Sequence, residues 1–263
     1  MIPNFVLLGK EISAYMLMAL IGGLIVLFFT YKLAPKYGLD DIHMLYMMLF
    51  SSLGVLGGGH ILYGITNMDL LSHTLQNLHE ISSFSVLIER AVAIFGGSVF
   101  YGGLIGSVLV CMVYLKHNRL PVGPYADVAC LAIPLFHFFG RLGCFLSGCC
   151  YGIEWAYGLV YHHSMVTAAN GVPRFPVQLV EATLNLVLFF LLFCFLKKER
   201  CKNHLLPLYL TVYPVYRFFL EFLRGDEYRG FLGPLSTSQI ISVGILFGVS
   251  VYWITCAAKL RRR

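Results

Sequence analysis

Apolar positions in this chain come in long, almost uninterrupted runs, and not in the alternating or one-sided patterns of water-exposed elements. An α-helix of roughly 20 apolar residues is long enough to cross the hydrocarbon core of a bilayer. Seven runs of about this length are present: Ile12 to Leu33, Met44 to Ile65, Ala91 to Leu115, Tyr125 to Leu146, Val177 to Leu196, Leu205 to Leu223 and Ser238 to Ala258. We therefore predict an all-α integral membrane protein in which residues 1–263 form a single transmembrane domain.

The composition agrees with a membrane location. Hydrophobic residues make up 58% of the chain and charged residues only 12%, whereas a water-soluble domain carries about 25% charged residues. So few charges cannot cover a water-exposed surface of this size. The lipid bilayer is the predicted partner of most of this surface.

Lys and Arg mark the sides of the membrane, because cytoplasmic loops are enriched in them. With the amino terminus outside, the inner loops and tail hold twelve of the 19 basic residues: Lys32, Lys36, Lys116, Arg119, Lys197, Lys198, Arg200, Lys202, Lys259, Arg261, Arg262 and Arg263. The outer segments hold five: Lys10, Arg90, Arg174, Arg224 and Arg229. We predict a multi-pass protein of the cytoplasmic (inner) cell membrane with its carboxyl terminus in the cytoplasm. The net charge of +6 reflects this topology and not nucleic-acid binding.

Two outer segments are longer than the other loops. Residues Thr66 to Arg90 have leucines at roughly helical spacing, which predicts an amphipathic helix along the outer interface. Residues Tyr151 to Pro176 contain glycine, Asn-Gly and proline turn signals, which predict a short outer cap of irregular or β structure.

Ionisable and polar residues within the runs are informative because each is expensive in a bilayer. They recur at helical spacing: Tyr213, Arg217, Glu221 and Arg224 in the sixth run, Gln178, Glu181 and Asn185 in the fifth, and His137 and Arg141 in the fourth. One interpretation is structural, with Arg217 paired to Glu221 or Glu181. The other is that Arg141 and Arg217 bind an anion in a cavity open to the outer leaflet, since a guanidinium fork suits a phosphate.

Glycines and cysteines form two further clusters. Gly102 and Gly106 have the small-xxx-small spacing of close helix packing. The double glycines flanking Tyr101 indicate either a broken helix that lines a cavity or backbone approaching a bulky ligand. The run GRLGCFLSGCCYG carries three cysteines, but zinc spacing calls for a second ligand pair. We therefore expect no metal site and no cofactor.

Five stretches in order resemble the prolipoprotein diacylglyceryl transferase family: GGGHILY, YGGLIG, GRLGCFLSGCCYG, RFPVQLVEA and YPVYRFFLEFLRGD. The resemblance covers almost the whole chain. It implies an enzyme that transfers diacylglycerol from phosphatidylglycerol to the lipobox cysteine thiol in a prolipoprotein signal peptide. The products are a thioether and glycerol phosphate.

The resemblance also implies roles for individual residues. Arg141 and Arg217 would hold the donor phosphate and stabilise the leaving group. Glycines would let the backbone approach the lipid, tyrosines would contact the headgroup or shape the cavity, and a polar shell would orient the arginines. The substrate-binding residues implied in this way are Gly102, Gly103, Gly140, Gly143, Gly148, Tyr15, Tyr213, Gln178, Glu181 and Glu221.

The chain departs from the family pattern at the residues that would move a proton. His60 stands where the family has arginine, and Tyr101 stands where it has histidine. A substrate thiol needs a proton acceptor, and imidazole changes its protonation near neutral pH. His60 is therefore the first candidate for the base and Tyr101 the second.

Two alternatives stay open. A paralogue of the same fold would use a phospholipid donor with a different acceptor. A membrane transporter or lipid-binding protein would use the arginines as a docking site, although the two halves of the chain show no convincing repeat.

Overall fold

The computed structural model describes residues 1–7, 9–78, 81–226 and 230–261, and these residues are mostly helical. The helices are α1 (Ala14–Leu33), α2 (Asp41–Thr66), α3 (Met68–Gln76), α4 (Phe84–Phe95), α5 (Phe100–His117), α6 (Val122–Ala129), α7 (Ala132–Ser147), α8 (Val177–Lys197), α9 (Leu205–Leu220) and α10 (Thr237–Arg261). Three antiparallel hairpins or strand pairs complete the structure: β1 (Asn4–Leu7) with β2 (Lys10–Ser13), β3 (Glu154–Val160) with β4 (Pro173–Arg174), and β5 (Phe231–Leu232) with β6 (Leu235–Ser236).

Six helical segments within the described residues are long and apolar enough to cross a membrane. They are Ala14–Tyr37, Asp41–Thr66, Phe100–His117, Val122–Ser147, Val177–Lys197 and Thr237–Arg261. The sixth predicted run is also helical, but α9 has only 16 residues and passes into a 3-10 turn at Glu221–Leu223. The prediction of a multi-pass membrane protein is therefore supported by six candidate spans, and the seventh span remains a prediction.

The third predicted run, Ala91 to Leu115, is wrong as a continuous helix. The chain breaks between α4 and α5, where Gly96 and Gly97 lie, and the spanning helix begins only at Phe100. The break is held by α2: the Val99 amide donates to the Gly59 carbonyl at 3.1 Å. A side chain at Gly97 would enter the Tyr63 ring, so glycine is required for this close approach. A break in the helix is therefore present at Gly96 and Gly97, whereas Gly102 and Gly103 lie within α5. That the break lines a cavity remains a prediction.

The fourth predicted run, Tyr125 to Leu146, is also interrupted. Helix α6 ends at Ala129 and α7 begins at Ala132. Pro134 lies in the first turn of α7, where a missing backbone amide costs no intrahelical hydrogen bond. The first run is shorter than predicted at its start, because Ile12 and Ser13 belong to β2.

The predicted interfacial helix over Thr66 to Arg90 is two helices. Helix α3 exposes every residue to some degree, as expected for a helix outside the packed core, and α4 begins at Phe84. Arg90 therefore lies within a helix and not in a loop. His79 and Glu80 lie outside the described residues, as do Arg229, Arg262 and Arg263 of the charge count.

The predicted cap over Tyr151 to Pro176 does contain β structure, formed by β3 and β4. Arg174 of β4 holds it together. Its Nη2 donates to the Ala168 carbonyl at 2.7 Å, its Nη1 donates to the Gly152 carbonyl at 3.3 Å, and its guanidinium lies 4.4 Å from the Tyr151 ring centroid. This arginine is structural. That the segment lies on the outer side remains a prediction.

The chain folds as two compact units, Met1–Tyr37 with Gly123–Arg263, and Gly38–Val122. In the first, α7 packs against α1 and α8, and α9 packs against α8 and α10. In the second, α2 packs closely along α5. A Cβ atom at Gly58 would lie 2.2 Å from the Gly102 carbonyl oxygen, and one at Gly106 would lie 2.2 Å from the Gly54 oxygen. The predicted small-residue packing of Gly102 and Gly106 is confirmed.

Candidate active site

A buried carboxylate, Glu181 of α8, lies at the centre of the first unit's polar cluster. It is 1% exposed. Its Oε2 is 2.9 Å from Arg141 Nε, and its Oε1 is 3.4 Å from His137 Nε2 and 3.8 Å from Arg217 Nε. His137 and Arg141 reach the same carboxylate because residues four apart lie on one face of α7. Three helices thus meet at one acid.

A second buried carboxylate, Glu221, lies one turn beyond Arg217. Its Oε2 is 2.5 Å from Arg217 Nη1 and 3.6 Å from Arg224 Nη1. Arg224 also binds Asp226, with Nε donating to Oδ1 at 2.8 Å and Nη2 lying 2.5 Å from Oδ2. Burial by itself lowers the pKa of Arg224, but the hydrogen bonds to Asp226 and the charge of Glu221 raise it above the ordinary value. Arg224 therefore stays charged.

The cluster is electrically balanced. Three arginines (Arg141, Arg217 and Arg224) face three carboxylates (Glu181, Glu221 and Asp226), all of them buried or nearly so. The pairing of Arg217 with Glu221 and Glu181 that the sequence indicates is therefore present. Since ion pairs at low dielectric hold their geometry tightly, the carboxylates also fix the planes of the guanidinium groups.

The two predicted phosphate-binding arginines differ in how many nitrogens the protein occupies. Arg217 makes ion-pair contacts through Nε with Glu181 at 3.8 Å and through Nη1 with Glu221 at 2.5 Å, and its Nη2 donates to the Ser238 hydroxyl at 3.2 Å. Arg141 uses only Nε, because no hydrogen bond or ion pair with a described residue engages its Nη1 or Nη2. Its side chain is also more exposed, 12% against 4%. Arg141 is the better donor for an added anion.

Aromatic residues pack around the arginine–carboxylate cluster. Tyr213 is fully buried, with its ring 5.3 Å from the His137 ring and stacked 5.4 Å from Tyr209. Tyr216 donates to Asn185 Oδ1 at 3.0 Å. The predicted role of Tyr213 in shaping the cavity has this packing as its support. Tyr15, at the start of α1, is 46% exposed.

The three predicted glycines of the α7 region lie in different environments, and glycine is needed at only two of them. Gly148 ends the helix in a left-handed conformation (φ +75°). A Cβ at Gly143 would lie 3.1 Å from Tyr15 Cα, so Gly143 allows α1 and α7 to pack. A Cβ at Gly140 would meet no described atom within 4 Å. Gly140 is thus the one of the three with open space beside it.

Gln178, at the start of α8, joins the turn after α7 to the small sheet. Its Nε2 donates to the Cys149 carbonyl and its Oε1 accepts from the Tyr161 hydroxyl, both at 2.9 Å. Burial raises the Tyr161 pKa, so this hydroxyl remains a donor. Gln178 therefore supports the turn at the end of α7, and its role in a shell behind Arg141 remains a prediction.

The second unit carries the predicted base. His60 Nδ1 lies 2.7 Å from the carbonyl oxygens of both Phe95 and Gly97, at the break between α4 and α5. Carbonyl oxygens only accept, so Nδ1 must carry the proton and the neutral ring keeps its lone pair on Nε2. Tyr101 is only 2% exposed and its ring lies 5.6 Å from that of Phe100. Gly102 contacts Gly58, and Gly103 approaches the Val55 backbone.

Sequence reasoning missed two buried acids. Asp226 follows the sixth run and completes the Arg224 pair. Asp127 lies in the fourth run and accepts hydrogen bonds from the backbone amides of Asn203 and Leu205 (3.0 Å for the latter), which fixes the start of α9. The signal for Asp127 was available, because a carboxylate inside an apolar run needs a partner.

These features define a multi-pass helical membrane protein with a buried, charge-balanced arginine–carboxylate cluster. The model of the prolipoprotein diacylglyceryl transferase family matches residues 3–255, and the chain belongs to that family. Its relatives include proteins named phosphatidylglycerol–prolipoprotein diacylglyceryl transferase from three bacteria. That of Clostridium tetani is 30% identical over 94% of this chain and 95% of its own length. That of Clostridium perfringens is 31% identical over 91% and 89%, and that of Geobacter sulfurreducens is 31% identical over 99% and 96%.

Proposed function

We propose that this chain transfers the diacylglyceryl group of phosphatidylglycerol to the lipobox cysteine thiol of prolipoprotein signal peptides. The proposal rests on family membership over nearly the whole chain and on relatives that carry the name of this reaction. In the reaction, a thiolate sulfur forms a bond to the glyceryl carbon that carries the phosphate. The bond from that carbon to the phosphate oxygen breaks, and glycerol phosphate leaves with the electron pair.

The observation that carries the site assignment is the pair of uncommitted nitrogens on Arg141. A guanidinium whose Nε is anchored by a buried carboxylate presents Nη1 and Nη2 as a fixed fork, which matches two oxygens of a phosphate diester. Charge grows on the phosphate as the carbon–oxygen bond breaks. A preorganised guanidinium stabilises that charge more than it stabilises the ground state.

Arg217 acts behind Arg141 in this proposal. Its nitrogens contact Glu181 and Glu221 as ion pairs and donate a hydrogen bond to Ser238, so it holds the two carboxylates that orient the neighbouring guanidinium groups. We therefore assign Arg217 as a positioning residue. It contributes positive potential to the donor site without needing direct contact with the phosphate.

His60 is the proposed proton acceptor for the thiol. The two carbonyl oxygens at Nδ1 favour the tautomer with a basic Nε2, as a general base requires. Tyr101 is the weaker candidate because it is buried. In the first unit, the residues that form or support the lipid-binding surface in this proposal are Tyr15, Gly140, Gly143, Gly148, Gln178, Glu181, Tyr213 and Glu221. In the second unit, Gly102 and Gly103 are proposed to contact lipid.

We also propose the finer topology. The chain is a single transmembrane domain of seven spans in the cytoplasmic membrane, with the amino terminus and the β3–β4 cap outside. The excess of Lys and Arg in the loops assigned to the cytoplasm supports this orientation. Helix α9 is the additional span, and its partners α8 and α10 are both long enough to cross.

The test is a reconstituted lipidation reaction. The purified protein is incubated in detergent micelles with phosphatidylglycerol and a lipobox peptide that carries one cysteine. A diacylglyceryl adduct in the peptide mass, absent with a Cys→Ser peptide and accompanied by glycerol phosphate, is the expected result. Release of glycerol phosphate without a peptide adduct would indicate a different acceptor, and neither product from a folded sample would overturn the proposal.

A further inference from the structure

Three cysteines converge where α7 ends. The Sγ atoms of Cys144, Cys149 and Cys150 all lie within 4.8 Å of one another. Cys144 is buried and the other two are half-buried. No part of the proposed transfer reaction uses these thiols, because the acceptor cysteine belongs to the peptide substrate.

The backbone that brings the sulfurs together is specific. The Cys149 amide donates to the Cys144 carbonyl at 3.1 Å and the Gly148 amide to the Phe145 carbonyl at 3.2 Å, the pattern of a helix end closed by a left-handed glycine. Cys150 then adopts φ +54°, a left-handed conformation that is uncommon outside glycine. Two left-handed residues within three positions fold the chain back so that all three thiols meet.

We propose that Cys144, Cys149 and Cys150 form a binding site for one thiophilic divalent cation, with Zn²⁺ as the representative ion. Sulfur ligands at about 2.3 Å from a tetrahedral zinc lie about 3.8 Å apart, so sulfurs that lie within 4.8 Å of one another need to move together by at most about 1 Å. Binding forms three S–metal bonds, releases three thiol protons to solvent and changes no oxidation state. The fourth position is left for water.

Positive groups lie near the cluster, since Arg141 and Arg224 both act electrostatically on the Cys150 thiol. Three thiolates and a divalent ion together carry one negative charge, which would lie beside these two guanidinium groups. The sequence did not predict such a site, because typical zinc spacing has a second pair of ligands elsewhere in the chain. In the structure, Cys144 near the end of α7 supplies a third sulfur beside Cys149 and Cys150.

Binding is tested on the full chain, purified in detergent under reducing, metal-free conditions with an affinity tag that contains no histidine. After incubation with Zn²⁺ and desalting, elemental analysis is expected to give one zinc per chain. Co²⁺ is expected to give a thiolate-to-cobalt charge-transfer band. The variant Cys144→Ser/Cys149→Ser/Cys150→Ser is expected to lose both signals.

The matched control is Cys194→Ser/Cys201→Ser/Cys256→Ser, which removes three cysteines outside the cluster and is expected to keep both signals. Should the cluster variant fold poorly, Cys149→Ser alone is expected to weaken zinc binding at least tenfold. The proposal is overturned if wild-type protein holds no zinc, or if the cluster variant retains it. It is also overturned if a disulfide joins two of the three cysteines in protein whose thiols were blocked before lysis.

Discussion

Arg141 and Arg217 share one carboxylate, Glu181, yet the protein treats them differently. All three nitrogens of Arg217 have partners in the protein, whereas Arg141 keeps Nη1 and Nη2 available. At the scale of single residues, Arg141 is therefore anchored through Nε and has two nitrogens available, while Arg217 uses all of its nitrogens within the protein. This difference assigns substrate binding to Arg141 and the positioning of Arg141 to Arg217.

Arg141→Lys tests the fork. Lysine keeps a positive charge near Glu181 but offers no planar bidentate donor, so we expect kcat/KM for lipidation to fall about 10²- to 10³-fold, the range for losing an oxyanion donor. Initial rates of peptide lipidation over a range of phosphatidylglycerol concentrations measure this. Arg200→Lys, at an exposed loop position, is the control and should change nothing. Near-wild-type activity of Arg141→Lys would mean that charge alone is sufficient.

Arg217→Met tests the positioning role. It leaves the buried Glu221 without its 2.5 Å partner, and breaking such a pair typically costs about 3–5 kcal/mol. We expect a clearly lowered unfolding midpoint in detergent. The double variant Arg217→Met/Glu221→Leu, which removes both charges, should recover much of that midpoint but not the activity. If the single variant unfolds at the wild-type temperature, the ion pair does not stabilise the fold.

Gly140→Ala tests lipid approach. Open space surrounds the position, so an added methyl group should not disturb the fold and should favour the helix by about 1 kcal/mol. If the donor lipid occupies this space, the KM for phosphatidylglycerol should rise several-fold with little change in kcat. Gly23→Ala on α1, also in open space, is the control. Equal kinetics in the two variants would remove Gly140 from the donor site.

The sequence predicted much of this residue-scale picture because charged groups in apolar runs must find partners. Helical spacing alone identified His137, Arg141, Glu181, Arg217 and Glu221. It could not show which arginine keeps free donors, since that depends on how α7, α8 and α9 pack. The convergence of Cys144 with Cys149 and Cys150 also depends on a left-handed turn that spacing does not reveal.

At the scale of elements, the apolar runs predicted the existence of helices better than their interruptions. Four runs correspond to α1, α2, α8 and α10, because each is a continuous apolar stretch of sufficient length. The break before α5 was only one of two interpretations of its glycines, since it depends on contacts with α2 that lie far away in sequence. The break between α6 and α7 was missed, as a short apolar interruption leaves no polar signal.

Two adjacent glycines of α2 allow a test of the α2–α5 contact. A Cβ at Gly58 would lie 2.2 Å from the Gly102 oxygen, while one at Gly57 would meet nothing within 4 Å. We expect Gly58→Ala to lower stability by about 1–3 kcal/mol through overpacking, and Gly57→Ala to be neutral or stabilising. Unfolding midpoints in detergent compare them. A neutral Gly58→Ala would mean that the two helices tolerate separation.

At the scale of the whole molecule, the lengths of the helices and the charge asymmetry of the loops favour different numbers of membrane spans. Helix length supports six spans, and six spans would put both termini on one side of the membrane. The distribution of Lys and Arg favours opposite sides and hence an odd number. Helix α9 decides between these possibilities, because it is apolar but short and ends at the arginine–carboxylate cluster.

Three labelling positions locate α9 relative to the membrane: Tyr157→Cys in β3, the native Cys201 between α8 and α9, and Pro234→Cys after α9, all exposed. Intact cells are treated with a membrane-impermeant maleimide, and each labelled peptide is identified by mass. Seven spans with the amino terminus outside predict labelling of residues 157 and 234 in intact cells, and of Cys201 only after the membrane is disrupted. If residue 234 instead behaves like Cys201 and is labelled only after the membrane is disrupted, α9 does not cross the membrane. If Cys201 alone is labelled, the orientation is reversed and the arginine–carboxylate cluster opens toward the cytoplasm, where the proposed donor and acceptor reaction would have to be reconsidered.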